Sequence, residues 1–130
     1  MWPDFFTDPC VYTITSVENV KRGMPVGLMY ADSQGMLRDR ITALRKANIY
    51  ERQAYRHIVG LPAVLEKTDD GVKAETPFLV VRVMRDGKMD LFATGRYVDV
   101  VVEQRGALRF RERVVVCDSS RVDTLLAIPL

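Results

Sequence analysis

His57, Asp99 and Glu112 are the residues of this 130-residue chain whose types and surroundings could carry acid/base chemistry. His57 is the only histidine, and it sits in the run Tyr55-Arg56-His57-Ile58-Val59. In a curved sheet closed over a helix, a buried imidazole or carboxylate can serve as a general base. Each of the three also has a structural reading. Asp99 and Glu112 fall on strands expected to be adjacent, flanked by Arg96, Arg111 and Arg113, so cross-strand ion pairs explain them equally simply. For His57 the structural reading is a core-lining imidazole bonded to a backbone carbonyl or a neighbouring side chain. These structural roles outweigh the catalytic ones.

Metal chemistry is excluded more firmly. A Rieske cluster takes two histidines and two cysteines, and a mononuclear non-haem iron takes two histidines and a carboxylate, so one histidine serves neither. Cys10 and Cys117 are isolated, without the C-x-x-C or H-x-x-x-H spacing of a zinc site. No glycine-rich phosphate loop and no G-x-S-x-G elbow is present.

The length suits one domain spanning residues 1–130. A hydrophobic share of 48% with 28% charged residues describes a folding globular chain, and a formal charge of +2 gives no reason to expect nucleic acid. No window has the uninterrupted apolar length of a membrane helix, and "MWPDFFTDPC" lacks the basic start and apolar stretch of a signal peptide, so the expected place is the cytoplasm. There the two cysteines are most simply buried free thiols.

The elements that must position these residues follow from periodicity. "CVYTITS" alternates as a strand. In "DSQGMLRDRITALRKA", Asp32 and Ser33 are candidate N-caps, and Leu37, Ile41 and Leu44 form one face of a helix whose last turn is basic. Tyr55, His57, Val59 and Leu61 alternate with Arg56, Ile58 and Gly60 as a further strand that carries His57 on its apolar face. Two long β-rich runs meet at Asp86-Gly87, and Arg105-Gly106 leads into a third, on which alternation puts Arg109, Arg111 and Arg113 on one face. This stripe suits a solvated face or an ionic interface. The result is an α+β fold with a curved antiparallel sheet wrapped around a helix. Trp2, Phe5 and Phe6 make an apolar patch at the start, and the tail "DTLLAIPL" is expected to dock on this chain or on a partner.

Three stretches in order, "DSQGMLRDRITALRKANIYERQAYRHIVGLP", "FLVVRVMRDGKMDLFATGRYVDVVVE" and "LRFRERVVVCDSSRVDTLLAIPL", make the chain resemble the small (beta) subunits of Rieske-type aromatic-ring-hydroxylating dioxygenases. The resemblance runs from Trp2 to Leu130. It rests on L-R-x-A-N-I-Y-E-R, the Y-R-H that follows, G-R-Y-x-D, and C-D-S…D-T-L-x-A-x-P-L. It implies a cone-shaped, cystatin-like fold similar to nuclear transport factor 2 and ketosteroid isomerase. It implies no cofactor, metal or catalytic residue in this chain, with a large (alpha) subunit holding a Rieske 2Fe–2S cluster and a mononuclear iron. Three large and three small chains would form a hexamer, fed with electrons from NADH or NADPH by a reductase, that cis-dihydroxylates an aromatic carboxylate such as terephthalate. Arg56, His57, Arg96, Asp99, Arg111 and Arg113 then become interface or structural residues. The helical sequence with which such subunits usually begin is missing or shortened ahead of Trp2, which would leave Trp2, Phe5 and Phe6 uncovered. The alternative is a stand-alone cone-fold isomerase or dehydratase, or a small-molecule-binding protein, using His57 or Asp99.

Overall fold

Two turns set the register of the sheet. Strand β5 (Gly71–Val83) returns as β6 (Met89–Gln104) through Met84–Lys88, where Gly87 takes φ 90° and the Asp86 carboxylate accepts from the Lys88 N–H at 3.0 Å. Strand β6 returns as β7 (Ala107–Cys117) through Arg105 and Gly106, both at positive φ, the conformation of a two-residue primed turn. The structure, a computed structural model, describes residues 2–23, 29–47 and 54–118. The apolar tail and residues 48–52 of the resemblance lie outside the described residues, as do the side chains of Leu44, Arg45 and Lys46.

Seven strands form one curved sheet. The order is β2 (Met29–Ala31), β1 (Phe6–Ser16), β7, β6, β5 and β3 (Ala54–Val59), while β4 (Ala63–Thr68) pairs with the first part of β5. The sheet is antiparallel with one exception: β1 runs parallel to β7, Ile14 beside Val115. No turn links these two strands, so no hairpin dictates their sense, and the sheet is mixed. Helix α1 (Val17–Lys21) is one short turn capped by Ser16, whose hydroxyl accepts from the Asn19 N–H at 3.1 Å.

Helix α2 (Gln34–Ala47) begins where Ser33 caps it, the Met36 N–H donating to Ser33 Oγ at 3.1 Å. Leu37 is fully buried and Ile41 half-buried. The helix is tied to the chain start by Gln34, which donates to the Phe6 carbonyl at 2.8 Å, and by an Arg38–Asp4 ion pair at 2.7 Å. Beneath it lie Phe6, Tyr12, Ile14, Val115 and Cys117, joined along the same inner face by Phe78, Val80, Ala93 and Tyr97. Trp2, in a 3₁₀ turn (Trp2–Phe5), sets its ring edge against Phe6 and Tyr12, each at 5.1 Å. Phe6 and Trp2 therefore belong to the core, and of the expected terminal apolar patch Phe5 alone is exposed.

The outer face of the sheet is apolar as well. Leu79, Val81 and Val83 of β5, Val98 and Val100 of β6, and Val114 of β7 are half-buried there. A sheet hydrophobic on both faces is the pattern of a sheet covered on both sides.

Close packing of β6 against β7 leaves no room for a side chain at Gly95, where a Cβ would lie 2.1 Å from the Val116 carbonyl oxygen. Gly95→Ala is expected to lower unfolding stability by more than about 3 kcal/mol, read by urea denaturation, because backbone must move to admit the methyl group.

Candidate functional site

The polar centre of the inner face is Arg113. Its guanidinium meets Asp99 in a two-point ion pair, Nε to Oδ1 at 2.8 Å and a terminal nitrogen to Oδ2 at 2.9 Å. It lies between two aromatic rings, 4.0 Å from the centroid of Tyr97 and 4.1 Å from that of Phe110, and Tyr97 stacks in turn on Phe78 at 4.5 Å. Asp99 is 3% exposed and the Arg113 side chain 17%. Both carboxylate oxygens and both guanidinium faces are occupied. Such an arrangement offers no free base, and its chemistry is that of a satisfied buried ion pair.

A β-bulge creates this pairing. Continued without interruption from Gln104 opposite Ala107, the register would set Asp99 against Glu112, two like charges. Arg111 is the extra residue, and beyond it Val100 opposes Glu112 and Asp99 opposes Arg113. The bulge also reverses the alternation, so that Phe110 and Arg113, three residues apart, both point inward. The expected one-faced stripe of arginines is therefore not formed. Arg113 is inside, Arg111 is exposed at the bulge, and Arg109 donates to the Asp4 carbonyl.

The G-R-Y-x-D stretch can now be read atom by atom. Gly95 permits the close strand approach, Tyr97 and Asp99 hold Arg113, and Arg96 points outward to Glu75 at 3.3 Å. Burial raises the pKa of the Tyr97 hydroxyl, partly offset by Arg113, so the phenol stays protonated. Glu112 lies on the opposite face from Asp99, beside an outer groove of about 280 Å³ shared with Lys73, Arg96 and Val100. The three candidate acid/base groups are thus not brought together.

His57 stands apart on β3. It opposes Val80 and so faces the inner side with Tyr55, as its alternation predicts, but it is exposed rather than core-lining. The reason is its position on the last strand of the sheet, with no strand beyond it among the described residues. Partial desolvation holds its pKa below the ordinary histidine value. Arg56 points to the outer face opposite Val81 and is exposed. Ile58 and Val59 on β3 and Val64 and Leu65 on β4 are all more than half exposed.

A second cluster was not legible as a site in the sequence. Arg82 pairs with Asp90 at 2.8 Å and lies 5.5 Å over the Phe92 ring, which packs on Tyr55. Its signal was available in the register, since a hairpin at Asp86-Gly87 sets Arg82 opposite Asp90.

Among the described residues no three of His, Cys, Asp and Glu gather to hold a metal, and no helix is long and apolar enough to cross a membrane. With a single, exposed histidine the chain does not offer the ligands of a Rieske cluster or a non-haem iron.

Residues 1–124 match the family model of the ring hydroxylating beta subunit. The chain belongs to that family. It is 50% identical over 129 residues to the terephthalate 1,2-dioxygenase terminal oxygenase component subunit beta 2 of Comamonas sp, covering 99% of this chain and 84% of the relative. It is 40% identical to the anthranilate 1,2-dioxygenase small subunit of Burkholderia cepacia, covering 99% and 80%. A beta subunit assigned to an aromatic-ring-hydroxylating dioxygenase of Novosphingobium aromaticivorans superposes with a TM-score of 0.89 at 38% identity, covering 99% of this chain and 82% of that one. The small subunits of ring-hydroxylating dioxygenases thus supply both the α+β cone and the class of enzyme, an oxidoreductase, to which this chain contributes.

Removing one partner of the inner pair strands a buried charge. Asp99→Ala is expected to cost about 3–5 kcal/mol in urea unfolding, whereas Asp99→Leu with Arg113→Met recovers most of that loss. The thiols give an independent check. Burial raises both pKa values, that of Cys117 to about 11, with Asp118 adding to the shift there and Asp8 and Asp32 at Cys10. Both thiols are then protonated at pH 8, and neither is expected to react with a disulfide reagent until denaturant is added.

Proposed function

We propose that this chain is the non-catalytic small subunit of an oxygenase that adds both atoms of dioxygen to an aromatic carboxylate, terephthalate being the first candidate. Its large partner carries the Rieske cluster and the mononuclear iron. A reductase supplies electrons from NADH or NADPH, and three large and three small chains assemble in the cytoplasm. One observation carries this reading: Asp99, the buried carboxylate among the candidate bases of the inner face, is closed on Arg113, and His57 stands exposed on the last strand, while the outer face and the β3–β4 edge present apolar side chains. A stand-alone isomerase or dehydratase needs an acid/base group free to meet substrate, whereas each Asp99 oxygen is engaged by Arg113 and the residue is 3% exposed. Arg56, His57, Arg96 and Arg111 serve as assembly contacts, and Asp99 and Arg113 as the internal clamp.

Co-expression with the large oxygenase chain of the same host tests the reading. The expected product is an iron-containing complex with the native mass of six chains, active on an aromatic acid. An iron-free small chain that turns over substrate unaided would overturn the proposal.

His57→Gln separates the two readings at residue level. Turnover per iron is expected to stay within about twofold, whereas loss of a general base costs about 10² or more. The pH dependence follows from the lowered pKa. Protonating His57 opposes the native state, so stability falls as pH drops through the ordinary histidine range, from about 7 to 5. His57→Gln is expected to flatten that part of a melting-temperature profile.

A further inference from the structure

Strand β3 is attached to the sheet through its backbone far more than through its side chains. Its ladder runs from Ala54 opposite Val83 to Val59 opposite Phe78, and β5 is the one described strand it pairs with. Every side chain of β3 is exposed except that of Tyr55, which is half-buried. The Tyr55 ring sits on Phe92 of β6, the centroids 5.1 Å apart and the planes inclined at 53°. Phe92 reaches this position as the extra residue of a bulge, with Val80 opposite Ala93 and Val81 opposite Leu91. This aromatic contact is the side-chain attachment of β3 to the strand beyond β5.

The far end of β3 has the geometry of a hinge. Gly60 donates its N–H to the Pro77 carbonyl at 2.9 Å, and a Cβ there would lie 2.7 Å from Pro77 Cγ, so the chain passes closely over Pro77 before Leu61 and Pro62 lead into β4. Strand β4 is fastened separately, to the first part of β5, with Ala63 opposite Glu75 and Thr68 opposite Gly71. The buried core takes residues from β1, β2, α2, β5, β6 and β7 and none from β3, whose Tyr55 only reaches its margin. A strand with so few buried contacts opens at a lower free energy than the core it lies against.

We propose that β3 is a flap, hinged at Gly60 and pinned by Tyr55 on Phe92, that opens while the core of β1 and β5–β7 stays folded. Opening bares the inner-face pair of Arg82 and Asp90, since Tyr55 stands opposite Arg82 in the register. That pair borders a cavity of about 670 Å³, lined also by Met84, Arg85, Asp86 and Lys88. The inner face is thus held closed at Arg113 and becomes reachable at Arg82 by the movement of one strand. This device does not depend on the subunit reading above.

Native-state hydrogen–deuterium exchange on the full chain, with urea added below the unfolding transition, tests the flap. The protected amides of β3 are expected to exchange about 100-fold or more faster than those of residues 114–116 in β7, and to respond less to urea, because a local opening exposes little surface. Tyr55→Ala is expected to speed β3 exchange about tenfold or more and to leave residues 114–116 within about twofold. Gly60→Ala, whose methyl group would meet the Pro77 ring, is expected to act in the same selective way, and it serves if Tyr55→Ala lowers the melting temperature of the whole chain. Leu65→Ala, at an exposed position on β4, is expected to change neither strand. Equal exchange of β3 and β7 in the unsubstituted chain overturns the proposal. So does β3 exchange that stays unchanged in both the Tyr55 and Gly60 variants, or that rises only together with β7.

Discussion

Arg113 is a cation inside a small β-rich cone, and much of the fold can be understood as what is needed to keep it there. A buried guanidinium without a partner is ruinous for a domain of this size, because native stability amounts to only about 5–15 kcal/mol. Asp99 supplies the charge, Tyr97 and Phe110 supply π-faces above and below, and a bulge at Arg111 brings these groups into register. Gly95 lets the two strands approach closely enough for the clamp to form. The carboxylate best placed for acid/base work in the inner face is the one committed to holding Arg113.

With Asp99 committed to Arg113, the apolar outer face becomes the more informative surface. One helix and a 3₁₀ turn cover the inner side near β1, and the valines, leucines and methionine on the other side of β5 and β6 are the residues a covered sheet would carry. Strands β3 and β4 are exposed apart from Tyr55, and Ile58, Val59, Val64 and Leu65 lie there among the charges of Arg56, Glu66 and Lys67. Membership among the small subunits of ring-hydroxylating dioxygenases fits a chain whose described residues leave apolar side chains exposed on the outer face and at the β3–β4 edge.

Local features made much of this legible in the sequence. Asp86-Gly87 and Arg105-Gly106 mark both turns of the meander, Ser33 and Leu37 mark helix α2, and the cross-strand arginines near Asp99 announce an ion pair, which forms with Arg113. What stayed hidden depends on long-range geometry. The parallel run of β1 beside β7 involves no turn that could announce it. The bulge at Arg111 has no glycine or proline to mark it, and without it Arg109, Arg111 and Arg113 read as one stripe. His57 has the alternation of a core residue because it does face inward. Its exposure comes from β3 being the last strand, which strand order determines and local pattern does not.

On the proposed subunit reading, this chain contributes to the oxygenase through its outer face. Hydrogen–deuterium exchange on the small chain alone and in the assembled oxygenase tests it most directly. Assembly is expected to slow exchange in the β3 segment around Arg56 and in the first residues of β6 around Leu91, and to leave the helix α2 segment around Leu37 unchanged. Slowed exchange confined to α2 and the inner face, with β3 and the start of β6 unaffected, would contradict it.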